Sequence, residues 1–195
     1  MAAEITYRAA DSYGDRFNIA RLTFQSLDTN RMSLLTKAKS FTGIITHKYA
    51  FAAFRNDKPI AVVFYSEARP SEDGPIKTDG SMHVEAILSS TRGTSINSSK
   101  VIKTLCLHTL DDIEKRGCHT VTFNVPDAKY ELQGMMYKMR EASVVDLAYS
   151  SFSKGMEIKA SVQNLKSFLR RTFMMPGGSR LISTKSVYDA IPRFE

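Results

Sequence analysis

Residues 82–113 read MHVEAILSSTRGTSINSSKVIKTLCLHTLDDI, and this stretch decides how the chain is arranged. Its first part, His83 to Leu88, is rich in apolar and β-branched residues and predicts a strand. A turn of small residues around Arg92-Gly93 follows. Ser98 to Lys115 then carries apolar residues at three- and four-residue steps, which predicts an amphipathic helix that Gly117 ends. This order leaves the first backbone N–H groups of the helix available to bind an anion.

The turn itself suits a phosphorylated ligand. Arg92 supplies a cation, and the small residues Gly93, Thr94 and Ser95 let an anion approach the backbone closely. We therefore expect this turn to accommodate a phosphate or pyrophosphate group.

On the N-terminal side of this stretch, the sequence predicts a β-hairpin. Tyr49–Arg55 and Pro59–Tyr65 are rich in aromatic and β-branched residues, and Asn56-Asp57-Lys58 between them has turn composition. Further predicted elements are a strand at Ile5–Arg8, a helix after a cap at Asp11 or Ser12, a weaker helix at Met32–Lys39, strands at His119–Val125 and Val144–Ser151, helices at Tyr130–Arg140 and Ser161–Phe173, and a short segment at Ser179–Ser183.

Length and composition favour one globular α/β (α+β) domain. The chain has 195 residues, 43% of them hydrophobic, which is enough for a core without disulfides. Its two cysteines, Cys106 and Cys118, have no metal-type spacing, so a reducing compartment and a cytoplasmic location are expected. No apolar window reaches the length of a membrane span, so no membrane association is expected, and no metal site is predicted.

Positive charge is concentrated near the C-terminus. The net charge is +7, and the segment from residue 154 carries eight Lys or Arg against three Asp or Glu. Such a surface favours an anionic partner such as RNA, an acidic protein or a phosphorylated cofactor, but a merely solvated basic surface explains it equally well.

The order of elements from about residue 5 to 150 resembles the GNAT superfamily of acyl-CoA-dependent N-acetyltransferases. The segment Arg92 to Ile102 is similar to the family's pyrophosphate loop, Arg/Gln-x-x-Gly-x-Gly/Ala followed by an apolar helix. Arg92 matches, while Ser95 and Asn97 stand where the family has glycines. The resemblance implies a GNAT-like mixed central sheet flanked by helices in residues 1–153, and a basic C-terminal extension, 154–195, packed on the same domain.

The resemblance also implies an N-acetyltransferase with acetyl-CoA as the donor. The implied cofactor-binding residues lie on the strand before the loop, in the loop, at the helix start and on the next strand: Ile87, Leu88, Ser89, Arg92, Gly93, Thr94, Ser95, Ile96, Asn97, Ser98 and Asn124.

Two catalytic roles follow from the same resemblance. Glu85 corresponds to the family's base, which acts through water, but His83 lies on the same face by the two-residue period of a strand, so either side chain could serve. Tyr137 corresponds to the acid that protonates the departing thiolate. Tyr130 competes for that role, and Tyr137 could instead be a core aromatic beside several methionines.

The acceptor amine is left open as a small molecule or a macromolecule such as a protein or aminoacyl-tRNA. The cations that would suit an RNA backbone are Lys166, Arg170, Arg171 and Arg180. Against this, the apolar stripe Leu165, Phe168 and Leu169 on the same helix could pack on the domain or on a second subunit in a homodimer. Two other functions remain: an inactive GNAT-like binding or inhibitory module, and a basic nucleic-acid-binding protein.

Overall fold

A single mixed β-sheet organises the chain. The structure, a computed structural model, describes residues 4–26, 42–47, 49–68, 80–89, 98–126, 136–137, 139–150 and 155–171. The seven strands have the order β1-β2-β3-β4-β5-β7-β6. The elements are β1 (Ile5–Ala9), α1 (Tyr13–Ser26), β2 (Tyr49–Arg55), β3 (Lys58–Glu67), β4 (Ser81–Ser89), α2 (Ser98–Lys115), β5 (Thr120–Pro126), β6 (Val145–Ser150), β7 (Gly155–Ser161) and α3 (Val162–Arg171).

This architecture confirms the predicted fold class, a mixed sheet flanked by helices. Ser12 caps α1, because its Oγ accepts a hydrogen bond from the backbone N–H of Asp15 at 3.1 Å. The predicted segments Met32–Lys39 and Ser179–Ser183 lie outside the described residues. Of the predicted helix Tyr130–Arg140, residues 136–137 and 139–140 are described and are helical.

The predicted hairpin is confirmed as β2 and β3. Its two-residue loop is Asn56-Asp57, with Arg55 paired to Lys58. Asn56 and Asp57 have φ values of 50° and 57°. A two-residue turn with both central residues in the left-handed region matches the twist of the strands, and Asn and Asp tolerate that region well.

The two faces of the sheet carry separate cores. On one face α2 packs on β1 to β4 and α3 packs on β7, around buried residues such as Leu105 and Ile113. On the other face α1 packs on β3 and β4, around Ile19 and Phe64. Burying a side chain of this size stabilises the fold by about 1.5–3 kcal/mol. No helix in the described ranges is long and apolar enough to cross a membrane.

Part of the predicted C-terminal extension is a strand of the central sheet. β7 lies between β5 and β6 and pairs antiparallel with both. α3 follows directly, and its Leu165, Phe168 and Leu169 pack against the core on the α2 face. This part of the apolar stripe therefore covers the domain itself.

β4 and β5 form the one parallel pair among the described strands, and their ladder is short. It joins Ser81–His83 to Thr120–Thr122. Beyond it β4 stays paired to β3 as far as Ser89, while β5 stays paired to β7 as far as Pro126. The two strands therefore separate after His83 and Thr122, which leaves an opening in the middle of the sheet.

Candidate active site

The opening between β4 and β5 is bordered by several of the predicted site residues. Ile87, Leu88 and Ser89 lie on the part of β4 that runs beyond the ladder with β5. Asn124 is exposed on the corresponding part of β5. Ser98 begins α2, whose first turn has no acidic residue, so no carboxylate of that turn offsets the partial positive charge of the helix N-terminus. The predicted loop residues Arg92, Gly93, Thr94, Ser95, Ile96 and Asn97 lie outside the described residues.

A β-bulge places Glu85 at the start of the opening. The register between β3 and β4 shifts there, because Phe64 pairs with Ala86 while Tyr65 pairs with Val84, so Glu85 is the additional residue. Bulges redirect side chains and occur often beside active sites. Met82 and Val84 pack toward the α2 face, whereas Ala86 and Leu88 pack toward the α1 face.

Both carboxylate oxygens of Glu85 have a partner on the α1 face. Ser66 Oγ donates a hydrogen bond to Oε1 at 2.6 Å, and His47 Nε2 lies 2.9 Å from Oε2. The His47 hydrogen bond, despite partial burial of the carboxyl, lowers the pKa of Glu85 to about 2. Glu85 is therefore a firmly ionised carboxylate and a weak base at neutral pH.

His47 is held by contacts at both ring nitrogens. Its Nδ1 lies 3.0 Å from the backbone oxygen of Tyr49, and its ring meets Phe64 edge-on. Nδ1 faces a carbonyl oxygen and Nε2 faces an ionised carboxylate, so both ring nitrogens lie against hydrogen-bond acceptors. Arg16 of α1 donates to the backbone oxygen of His47 and, at 3.3 Å, to that of Ile45. The helix thus fixes the segment that carries His47.

His83 is the last residue of β4 in the ladder with β5. Its Nδ1 lies 3.1 Å from Thr122 Oγ1 across the two strands. Burial lowers the pKa of His83, against the opposing effect of the carboxylates of Glu85 and Glu157. The imidazole is therefore neutral at pH 7.

Comparisons with known proteins bear on the fold of the chain. No protein-family model matches the sequence, and a search of curated proteins finds no match. Among solved structures, the chain is similar to a protein from Desulfovibrio desulfuricans assigned as a GNAT-family acetyltransferase, with a TM-score of 0.53, 12% identity, and 82% of this chain and 99% of that chain covered. The chain has the GNAT fold.

Two further solved structures with the GNAT fold have named acceptors. The ribosomal-protein-S18-alanine N-acetyltransferase of Escherichia coli aligns with a TM-score of 0.52 at 12% identity, over 82% of this chain and 94% of that one. An aminoglycoside 6'-acetyltransferase of type Ii aligns with a TM-score of 0.53 at 9% identity, over 82% of this chain and 97% of that one. At such identities the likeness shows the fold alone.

Tyr137 and Asn124 make no hydrogen bond to Glu85 or His83 in the part of the chain that the structure describes. Tyr137 is 49% exposed, while Met136 and Met139 beside it are buried. The exposure favours a surface position over the core-aromatic alternative. Tyr130 lies outside the described residues.

Sequence reasoning did not assign His47, Ser66 or Arg16 to the site. His47 and Glu85 are 38 residues apart, and His47 follows a helical segment, 42–46, that no motif marks. The one available signal was the polar Ser66 at the end of the otherwise apolar run of β3.

One predicted RNA-contacting residue needs correction. Lys166 is only 3% exposed, and its Nζ lies 2.6 Å from Asp111 Oδ1 and 2.6 Å from Glu114 Oε2 on α2. Lys166 is therefore not available to a phosphate backbone. Arg170 and Arg171 are exposed, and Arg180 lies outside the described residues.

Proposed function

We propose that this protein is an N-acetyltransferase that moves an acetyl group from acetyl-CoA to a primary amine. The observation that carries the proposal is the separation of β4 from β5 beyond His83 and Thr122, with His83 and the bulged Glu85 at its start. The GNAT fold supports the same reaction class.

Binding of acetyl-CoA is assigned to three parts of the chain. The backbone of β4 around Ile87 to Ser89 borders the opening, where N–H groups would polarise a carbonyl oxygen. The Arg92–Asn97 loop and the start of α2 at Ser98 would hold the pyrophosphate, and Asn124 would contact the cofactor from β5. Acetyl-CoA supplies an already activated thioester, so the chain has to bind, orient and move protons.

Proton transfer is assigned to two side chains of β4 and to Tyr137. A primary amine is an ammonium ion at neutral pH and must lose a proton before it can attack a carbonyl carbon. The ionised Glu85 would attract that ammonium, and Glu85 or His83 would take the proton. Tyr137 is proposed as the acid for the leaving sulfur.

Isothermal titration calorimetry with acetyl-CoA tests the proposal directly. We expect Arg92→Ala to weaken binding about 10–100-fold, because a charge-assisted contact to a phosphate is worth about 1.5–3 kcal/mol. Arg21→Ala is the matched control, since Arg21 is an exposed arginine of α1. Absence of acetyl-CoA binding by the unmodified protein at millimolar concentration would overturn the proposal.

The acceptor is tested by following the release of free CoA thiol with a panel of amines. The names of the similar structures suggest a peptide beginning with alanine and an aminoglycoside as first members. Aminoacyl-tRNA belongs in the panel as well, although Lys166 is committed to α2. Acetyl-CoA binding without turnover on any amine would favour the inactive binding module. Salt-sensitive tRNA binding without acetyl-CoA affinity would favour the nucleic-acid-binding alternative.

Both Cys106 and Cys118 are free thiols, which supports the proposed cytoplasmic location. Burial raises the pKa of the Cys106 thiol to about 12, so this residue has no role as a nucleophile in the proposed reaction.

A further inference from the structure

The two candidate bases at the opening differ in how their polar atoms are used. Glu85 accepts from Ser66 through one carboxylate oxygen and from His47 through the other. An acetyltransferase base has to gain a proton, and a carboxylate that two donors already stabilise as an anion gains one poorly.

One ring nitrogen of His83 makes no hydrogen bond in the described part of the chain. Its Nδ1 pairs with Thr122 Oγ1, whereas Nε2 has no hydrogen-bond partner within the described ranges. His83 also stands at the last rung of the β4–β5 ladder, where the strands separate. Its side chain is therefore held at the edge of the opening by one nitrogen, with the other nitrogen uncommitted.

We propose that His83 Nε2, rather than Glu85, accepts the proton of the acceptor ammonium. This inference rests on the proposed function and assigns a catalytic residue within it. The ammonium gives one N–H proton to the Nε2 lone pair, which leaves a neutral amine and an imidazolium. The amine lone pair forms the new N–C bond, and the C–S bond breaks with its electron pair going to sulfur. Tyr137 gives its proton to the thiolate and regains one from the acylated nitrogen through solvent, while the imidazolium releases its proton to solvent.

The charges around His83 suit this role. Glu85 on its own strand and Glu157 on β7 both favour the imidazolium once it has formed. Lys159, which is paired with Thr122, is a cation on the same sheet face, and His47 faces Glu85 from the segment before β2. Nδ1–H can then donate to Thr122 Oγ1. Burial keeps the resting imidazole neutral, so it enters the reaction as a base.

The test compares the pH dependence of kcat in the unmodified protein, His83→Gln and Glu85→Gln, with the panel amine that turns over fastest. If His83 is the base, kcat of the unmodified protein falls about tenfold per pH unit below a midpoint under 6.5. His83→Gln should lower kcat about 100-fold at pH 8, and its kcat should no longer fall at acidic pH, a decline called the acidic limb below. Glu85→Gln should raise KM for the amine and keep the limb.

Ser81→Ala is the matched control, because Ser81 Oγ pairs with Thr120 Oγ1 at 2.7 Å in the equivalent cross-strand position two residues earlier. It should keep both the rate and the limb. A limb that survives in His83→Gln and disappears in Glu85→Gln would overturn the inference while leaving the acetyltransferase intact. Failure of the unmodified protein to bind acetyl-CoA would overturn both.

A second readout does not depend on turnover. Nitrogen-15 NMR of the His83 ring at pH 7 should show the proton on Nδ1 and a bare lone pair on Nε2. Acetyl-CoA affinity in His83→Gln, measured by calorimetry, should stay within about twofold, which separates loss of the base from loss of the fold. A proton found on Nε2 in the resting protein would contradict the assignment.

Discussion

Two groups of charged side chains lie on opposite faces of the same sheet and differ in completeness. On the α2 face, Lys166 of α3 is buried between Asp111 and Glu114 of α2. On the α1 face, Glu85 is paired with His47 and Ser66, beside a His83 that keeps one ring nitrogen uncommitted.

The difference teaches where to look for chemistry in this chain. The Lys166 group joins α2, which follows β4, to α3, which follows β7. Its cation has a carboxylate on either side. The Glu85 group lies at the point where the sheet opens. Both groups include partly exposed carboxylates, so burial alone does not separate a structural ion pair from a candidate catalytic group.

The largest expected contrast is in turnover. Replacing Glu85 by Gln removes the anion that attracts the ammonium, and we expect kcat/KM to fall about 100-fold, in the range of other charge-assisted contacts. Lys166→Met should leave kcat/KM within about twofold. A comparable loss in both variants would mean that the two groups are coupled and that the contrast is wrong.

The next contrast is in the free energy of unfolding, where we expect the Lys166 group to have the larger effect. Lys166→Ala leaves two carboxylates facing each other without their cation, and we expect the free energy of unfolding to fall by about 1–3 kcal/mol, a figure reduced for the partial exposure of both acids. Lys166→Met keeps most of the packing and should lose less. Urea unfolding monitored by circular dichroism measures both values. Equal losses would show that the packing of the aliphatic stem contributes nothing beyond the charge.

Acid should weaken the Glu85 group in a way that depends on His47. The folded-state pKa of Glu85 is about 2, below its ordinary value of 4.5, so its stabilising effect is complete above about pH 4.5 and is lost as the pH falls toward 2. His47→Gln removes the main cause of the shift. The unmodified protein should therefore lose about 1–2 kcal/mol more than the variant between pH 5 and pH 3. Parallel stability curves for the two proteins would contradict this.

The smallest expected effect comes from Ser66. Ser66→Ala removes one of the two hydrogen bonds to Glu85 and should raise the KM for the amine about 2–10-fold, with kcat nearly unchanged. Thr46→Ala serves as the control, because the Thr46 hydroxyl is exposed and bonds only within its own helical segment. A larger effect in the control would point to the segment before β2 rather than to Glu85.

Much of the fold follows from local patterns in the sequence. The apolar spacing between Ser98 and Lys115 predicts α2 with its observed bounds, and Asn56-Asp57 predicts the hairpin turn. These signals act over a few residues, so a single sequence contains them. The pairing of β7 between β5 and β6 depends on contacts across the whole sheet, and no local pattern records it.

The candidate site was predictable only in part for the same reason. The two-residue period placed His83 and Glu85 on one face, but the bulge at Glu85 arises from the register with β3. His47 and Lys166 reach partners 38 and 52 residues away, so their roles depend on tertiary structure. From the sequence alone, Lys166 looked like any other member of a basic helix.

The short ladder between β4 and β5 also has a mechanical consequence. Three residue pairs join a four-stranded leaf, β1 to β4, to a three-stranded leaf, β5 to β7, whereas the antiparallel ladders within each leaf join five or more. The two halves of the sheet are therefore joined by fewer backbone hydrogen bonds than the strands within each half. Lys166 adds a second link between the two halves, because its ion pairs join α3, which follows β7, to α2, which follows β4.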